Sequence, residues 1–268
     1  MQLLPNKSND DVPMRVSVLA SGSKGNSTYI ETAKLKFLVD IGPSCAYIER
    51  SLKNIGVDPK DIRMIFLTHA HVDHVAGLRV FLKKYNPTVY LTEKMHEELG
   101  LEINNYFYIN KEENIEDLDV LVIKTSHDAA DSHGFVFTSG GKSIVYITDT
   151  GYINIRNFDK LKGKNLYIFE SNHDIRMLRE GRYPYHLQQR ILSDRGHLSN
   201  KDSSYYLSEF IDKNTRRIIL IHLSEENNTP EMALDTLVNT LNESKKKVPE
   251  IIIAKQKEST ELIEVWLK

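Results

Sequence analysis

The sequence predicts a layered α/β protein, and three observations predict it. Short apolar, β-branched runs alternate with helix-length amphipathic stretches, the alternation comes in two similar batches, and 40% hydrophobic content over 268 residues suffices for a sizeable core. No linker long or polar enough to divide the chain is visible, so the expectation is a single domain spanning residues 1–268.

Residues 14–20, 29–32 and 37–40 are β-rich runs, broken by the Gly/Ser/Asn-rich turn at 21–27, and read as a small sheet. After Gly42-Pro43 a helix is expected over about 46–55, then a buried strand at 64–67, a helix at 75–84, a strand at 88–91 and a helix at 92–99. The second batch places strands near 120–123, 135–138, 143–148 and 166–169, without a repeat at the level of sequence. Helices follow at 175–180, 185–192 and 200–211, the last opened by the capping-box-like Ser199-x-x-Asp202. A strand at 217–221 precedes a helix at 230–241, with Thr229 as N-cap and Pro230 at its first position, and strands at 251–254 and 262–265 finish the chain.

Composition excludes several classes. The longest apolar runs, such as residues 217–222, fall far short of the roughly 20 residues a membrane helix needs, so no membrane insertion is expected. Residues 1–13 offer only Leu3 and Leu4 where a secretory signal needs about 7–15 apolar residues. They read as a loose polar leader, which points to the cytoplasm. Cys45, the one cysteine, rules out an internal disulfide and any Cys-rich zinc site, leaving histidine and carboxylate as metal ligands. A net charge of −2 gives no sign of a nucleic-acid partner by itself, but five of twelve arginines fall between Glu170 and His197.

The chemistry concentrates in His69-Ala70-His71-Val72-Asp73-His74, where three of ten histidines and an aspartate occupy six positions after an apolar strand. On a helix these side chains would scatter, and on a strand they would split between faces. A loop lets His69 and His71 reach one ion while Asp73 and His74 turn toward a second. Neutral imidazoles with a carboxylate suit zinc, manganese or iron better than magnesium. The competing reading is a surface loop with coincidental histidines.

This His-x-His-x-Asp-His pattern resembles the signature of the metallo-β-lactamase superfamily. That superfamily expects a later His, an Asp after a strand and a last His at another strand end, and His127, Asp149 and His222 fit. Ser21-Gly-Ser-Lys-Gly-Asn-Ser-Thr28, Glu170-Ser-Asn-His-Asp174, Tyr183-Pro184 and Gly196-His-Leu-Ser-Asn200 are together similar to the YycJ (WalJ) family, a cytoplasmic branch in Gram-positive bacteria. The resemblance implies a four-layer αββα sandwich, two divalent ions and nuclease activity, with 5′-to-3′ exonuclease action on double-stranded DNA. It also implies that His69, His71 and His127 take the first ion, that Asp73, His74 and His222 take the second, and that Asp149 bridges them. His133 competes with His127 for its place, but the Ser-His-Asp context favours His127, leaving His133 as an exposed or supporting residue. Asp149 and His222 could instead merely cap strand ends.

Two ions about 3.5–4 Å apart activate a shared water and clamp a phosphodiester, so no nucleophilic side chain is required. Asp73 is placed to orient or deprotonate that water. His197, just before a helix N-terminus, is the candidate proton donor to the leaving 3′-oxygen, with Glu170 holding its tautomer. The alternative is a capping histidine beside a surface glutamate. Ser23 and Asn26, in the Gly/Ser/Asn turn, are candidate substrate contacts as part of a phosphate nest, or else a plain hairpin turn. The stretch Arg176–Arg195, with Arg176, Arg179 and Arg182 its foremost candidates and Tyr183 and Tyr185 interleaved, offers phosphate contacts and base-stacking surfaces to DNA, or else a solvated helix face. The alternative function is a small-molecule thioester, lactone or cyclic phosphodiester hydrolase. A true β-lactamase is disfavoured by the missing signal peptide and by the oxygen-rich ligand set. A flavodiiron oxidoreductase is excluded because that branch carries a carboxylate where His71 stands. RNA-processing relatives with an inserted domain need more chain than the 73 positions from Asp149 to His222. A non-enzymatic binding module predicts missing ligands, yet all seven are present.

Overall fold

Two seven-stranded sheets carry the architecture of this computed structural model, which describes residues 14–265; the expected leader lies outside the described residues. The first contains β1 (Arg15–Ala20), β2 (Ser27–Glu31), β3 (Lys36–Val39), β4 (Met64–Phe66), β5 (Thr88–Leu91) and β6 (Tyr106–Tyr108). The second contains β7 (Glu112–Ile115), β8 (Leu118–Lys124), β9 (His133–Ser139), β10 (Lys142–Ile147), β11 (Leu166–Glu170), β12 (Arg217–Ile221) and β13 (Glu250–Ile253). The last strand, β14 (Ile263–Glu264), returns to the first sheet beside β1, giving the orders β14-β1-β2-β3-β4-β5-β6 and β13-β12-β11-β10-β9-β8-β7.

The halves share a plan. Strands β1 to β3 and β7 to β10 are antiparallel neighbours, whereas β3 to β6 and β10 to β13 run parallel. Parallel neighbours need crossovers, and helices supply them. In the first half these are α1 (Cys45–Asn54), α2 (Val72–Val75), α3 (Leu78–Tyr85) and α4 (Glu93–Leu99). In the second they are α5 (Phe158–Leu161), α6 (Ile175–Glu180), α7 (Tyr185–Ile191), α8 (Asn200–Phe210) and α9 (Pro230–Glu243).

Period-two alternation sorts the strand residues into the four layers. Phe37, Phe66, Phe135, Ile144, Tyr146 and Ile168 meet between the sheets, and Phe37 and Phe66 pack edge-on at 5.4 Å between ring centroids. Leu38 and Ile65 turn outward to Ile48, Phe81 and Met95 of α1, α3 and α4. Val145, Tyr167 and Phe169 turn outward to Leu207 and Phe210 of α8 and Leu237 of α9. With both faces covered, the strands read as continuous apolar runs, which is why the sequence displays them well. Truncating Phe66 to Ala in this core is expected to destabilise by about 3–5 kcal/mol.

Thr92, Ser199 and Thr229 cap α4, α8 and α9 as their sequence positions suggest. The helix expected over 75–84 starts later, as α3 at Leu78, and the one-turn α2 before it is set apart at Ala76 and Gly77. A Cβ on Gly77 would stand 2.1 Å from the Pro43 carbonyl oxygen, so the junction packs against the chain leaving β3 in a way only glycine permits. Strand β6, fully exposed, carries no alternation by which to read it.

Candidate metal centre

The carboxyl ends of β3, β4, β10, β11 and β12 converge on one edge of the sandwich, where α/β layers present functional groups. Asp40, Asp149 and His222, just past three of these ends, adopt left-handed φ values of 61°, 44° and 57°. Such backbone is strained for residues other than glycine and turns each side chain back into the site.

The chain leaving β4 remains extended through His69 and His71, as the sequence suggests, but Asp73 and His74 sit on the one-turn helix α2, which His71 precedes as N-cap. This change from loop to helix divides the cluster. Ligand atoms of His69, His71 and His127 lie within 4.8 Å of one another, and so do those of Asp73, His74 and His222. Asp149 belongs with His69 and His74 in one such group and with Glu170, His197 and His222 in another.

Four of the five ligand-type imidazoles, those of His69, His74, His127 and His222, have their orientation set from behind. Asp40 accepts from Thr68 N at 2.8 Å, from Thr68 Oγ1 at 2.7 Å and from His74 Nδ1 at 2.8 Å. Thr68 Oγ1 in turn accepts from His69 Nδ1 at 3.0 Å, so one buried carboxylate orients two rings through a single hydroxyl. His127 Nδ1 donates to the Gly196 carbonyl at 3.1 Å, and His222 Nδ1 donates to Glu170 Oε1 at 3.0 Å. These contacts direct Nε2 of all four rings inward, as metal-binding histidines require. His74 Nε2 lies 3.2 Å from Asp149 Oδ2.

Burial opposes the charge of Asp149, but the His222 and His74 imidazoles around it hold its carboxyl well below the ordinary range. Glu170, wholly buried at the end of β11, accepts from His197 Nδ1 at 2.7 Å and, on its other oxygen, from Thr150 N at 3.0 Å and Leu198 N at 3.2 Å. Burial again opposes the charge, and His197, helped by the hydrogen bond from His222, brings the carboxyl down to about 2. Glu170 and His197, expected from sequence to act as a pair, are thus in direct contact.

The remaining expected residues divide. Ser23 lines the cleft over the ligand cluster, together with Tyr183, Leu187 and Arg190. Asn26 is buried: its Nδ2 meets Asp73 Oδ2 at 3.2 Å and its backbone N donates to the Asp73 carbonyl at 2.8 Å, so it braces α2. Arg176 pairs with Glu180 at 3.0 Å and, with Arg179, lines a separate groove beside α8; neither they nor Arg182 line the cleft. His133 is buried rather than exposed, and it belongs to none of the ligand groups. Two residues that matter here were not singled out from sequence, Asp40 and Asp128, and Arg190 was noted only as one of the arginines in the basic stretch. Asp40 had a readable signal, since Phe37-Leu-Val-Asp40 and Tyr146-Ile-Thr-Asp149 are both apolar runs ending in aspartate.

The residues fit a metal. Nε2 of His69 and of His222 is buried without a protein partner among the described residues, an unfavourable state that a bound cation relieves. Fold and site together define a metal-dependent hydrolase of the αββα class. The family model described as Metallo-beta-lactamase superfamily matches residues 20–190. The Exodeoxyribonuclease WalJ of Streptococcus pneumoniae is 39% identical over 242 residues, covering 86% of this chain and 89% of its own. The Exodeoxyribonuclease YycJ of Bacillus anthracis is 38% identical over 237 residues, covering 86% and 90%. Among solved structures, the metallo-beta-lactamase fold protein YhfI of Bacillus subtilis superposes with a TM-score of 0.70 at 16% identity, over 92% of this chain and 99% of that one. The chain belongs to the metallo-β-lactamase superfamily and, within it, to the family of the WalJ and YycJ proteins.

Proposed function

We propose that the protein is a metal-dependent phosphodiesterase, a 5′-to-3′ exonuclease on double-stranded DNA, working in the cytoplasm with two divalent ions of zinc, manganese or iron. His69, His71 and His127 would hold one ion and Asp73, His74 and His222 the other, with Asp149 available to both groups. Ions so held would supply Lewis acidity to a phosphate and to an attacking water. The observation that carries the reading is the Glu170–His197 pair: with Nδ1 committed to a buried carboxylate at 2.7 Å, the His197 ring presents its other nitrogen to the cleft. A protonated ring so placed can give its proton to a leaving 3′-oxygen. Asp73, partly open to the cleft and steadied by Asn26, is the carboxylate that orients the water and accepts its proton. That the relatives are named exodeoxyribonucleases supports DNA as the substrate.

The test uses protein loaded with manganese or zinc and linear duplex DNA labelled at either end, with Asp73→Ala as the control for contaminating nuclease. Loss of the 5′ label before the 3′ label, abolished in the variant, supports the proposal. Intact DNA from fully metallated protein sinks it, and thioesters, lactones and cyclic phosphodiesters become the substrates to try.

A further inference from the structure

Helix α7 has no buried residue, yet one of its faces walls the cleft. Leu187 and Ile191, four positions apart on that face, make the apolar part of the wall, and Arg190 reaches in beside them. The Arg190 side chain is 59% exposed but not loose, because its Nε donates to Asp128 Oδ2. A guanidinium carries five N–H donors in one plane, and among the described residues the other four of Arg190 meet no protein acceptor. That planar fork matches the oxygens of a phosphate. Asp128 Oδ1, buried and without a partner, lies 3.4 Å from His127 Nε2 and 4.0 Å from His71 Nε2. A single carboxylate therefore ties the guanidinium to the first histidine group. An exposed ion pair contributes little to stability, so fold maintenance is a weak reason for this arrangement.

We propose that Arg190 anchors a phosphate within a single-nucleotide subsite of the cleft, gripping the non-bridging oxygens beside the scissile bond, with Asp128 as the positioning residue that sets its plane. The proposal rests on the phosphodiesterase reading above. The cleft encloses about 290 Å³, at the lower end of the range of small-ligand sites, so it takes one unstacked nucleotide rather than a stacked duplex end. Tyr183, also lining the cleft, offers a ring for the base.

The experiment follows steady-state degradation of linear duplex DNA by metal-loaded protein across a salt series. It compares wild type with Arg190→Ala, Arg190→Lys and Asp128→Asn, and with Arg50→Ala, a loss of charge on α1 where the guanidinium rests 5.4 Å over the Tyr47 ring. Arg190→Ala is expected to raise KM by about 10-fold to 100-fold. The plot of log kcat/KM against log salt should flatten by roughly one unit, the signature of one lost phosphate contact. Arg190→Lys restores the charge and hence the slope, but only part of KM, because it lacks the fork; Asp128→Asn raises KM less than Arg190→Ala. A KM and slope in Arg190→Ala equal to those of Arg50→Ala overturn the proposal, and if the alanine variant folds poorly a wild-type KM in Arg190→Lys overturns it instead. Wild-type protein that leaves DNA intact defeats the phosphodiesterase reading itself, whereas degradation with unaltered KM defeats the anchor alone.

Discussion

Asp40 and Asp149 occupy matching places in the two halves of the molecule. Each lies just past the strand where its sheet changes from antiparallel to parallel pairing, each is buried, and each has a left-handed φ. Their surroundings differ. Asp40 takes three protein hydrogen bonds and fixes His69 and His74 from behind, whereas Asp149 stands among imidazoles, with His74 Nε2 at 3.2 Å, His222 Nδ1 at 3.4 Å and His197 Nδ1 at 3.5 Å. One topological position thus serves as scaffold in the first half and, in the proposed function, as ligand in the second. The difference teaches that a metal centre needs carboxylates of both kinds, because a ligand ring left free to rotate binds weakly.

The contrast can be broken most forcefully at Asp149. Asp149→Asn is expected to lower nuclease activity by roughly a thousand-fold and to reduce bound metal, measured by turnover and elemental analysis of the same preparation. Next in size is His197→Ala, expected to slow cleavage by about 100-fold to 1,000-fold while metal content stays at the wild-type level; a variant that also loses metal would show that the ring holds an ion rather than moving a proton.

Asp40→Asn should weaken metal affinity by about 10-fold to 100-fold, since the two rings it orients serve both ligand groups. It should also destabilise the metal-free protein by about 3 kcal/mol in urea unfolding, more than Asp149→Asn does, because a buried charged network loses its centre. Equal effects of the two substitutions would erase the distinction between scaffold and ligand.

The dense cluster at 69–74 stood out by itself, whereas His127, Asp149 and His222 were picked out by the resemblance to the superfamily, with the apolar runs before them as support. What remained hidden depends on packing across the chain. Asp40 takes its role from Thr68 and His74, which sequence places 28 and 34 positions away. The arginine-rich stretch was visible, but which arginine faces the cleft was not: Arg176 turns to Glu180, its neighbour one helical turn on, while Arg190 meets Asp128 from 62 positions away. Gly77 sets α2 apart from α3 for the sake of Pro43, and β14 joins a sheet begun at the other end of the chain, neither of which periodicity reports.

The smallest expected effect separates a ligand histidine from a bystander. Burial holds the His133 imidazole down to about 3, against an ordinary value of 6.5. The unfolded chain therefore takes up a proton that the folded one refuses as pH falls below 6.5, and stability is complete above that value and declines toward pH 3. About 1 kcal/mol should be lost by pH 5.5, and His133→Gln should flatten that part of the profile of metal-free protein. An unchanged profile would mean that the folded protein protonates His133 freely.

The most direct measurement is a titration of chelator-stripped protein with manganese or zinc, following bound metal and DNA degradation together. Residues from both halves forming one paired centre predict saturation at two ions per chain, with full activity only after the second is bound. Full activity at a single equivalent, with no second ion taken up, would contradict the account.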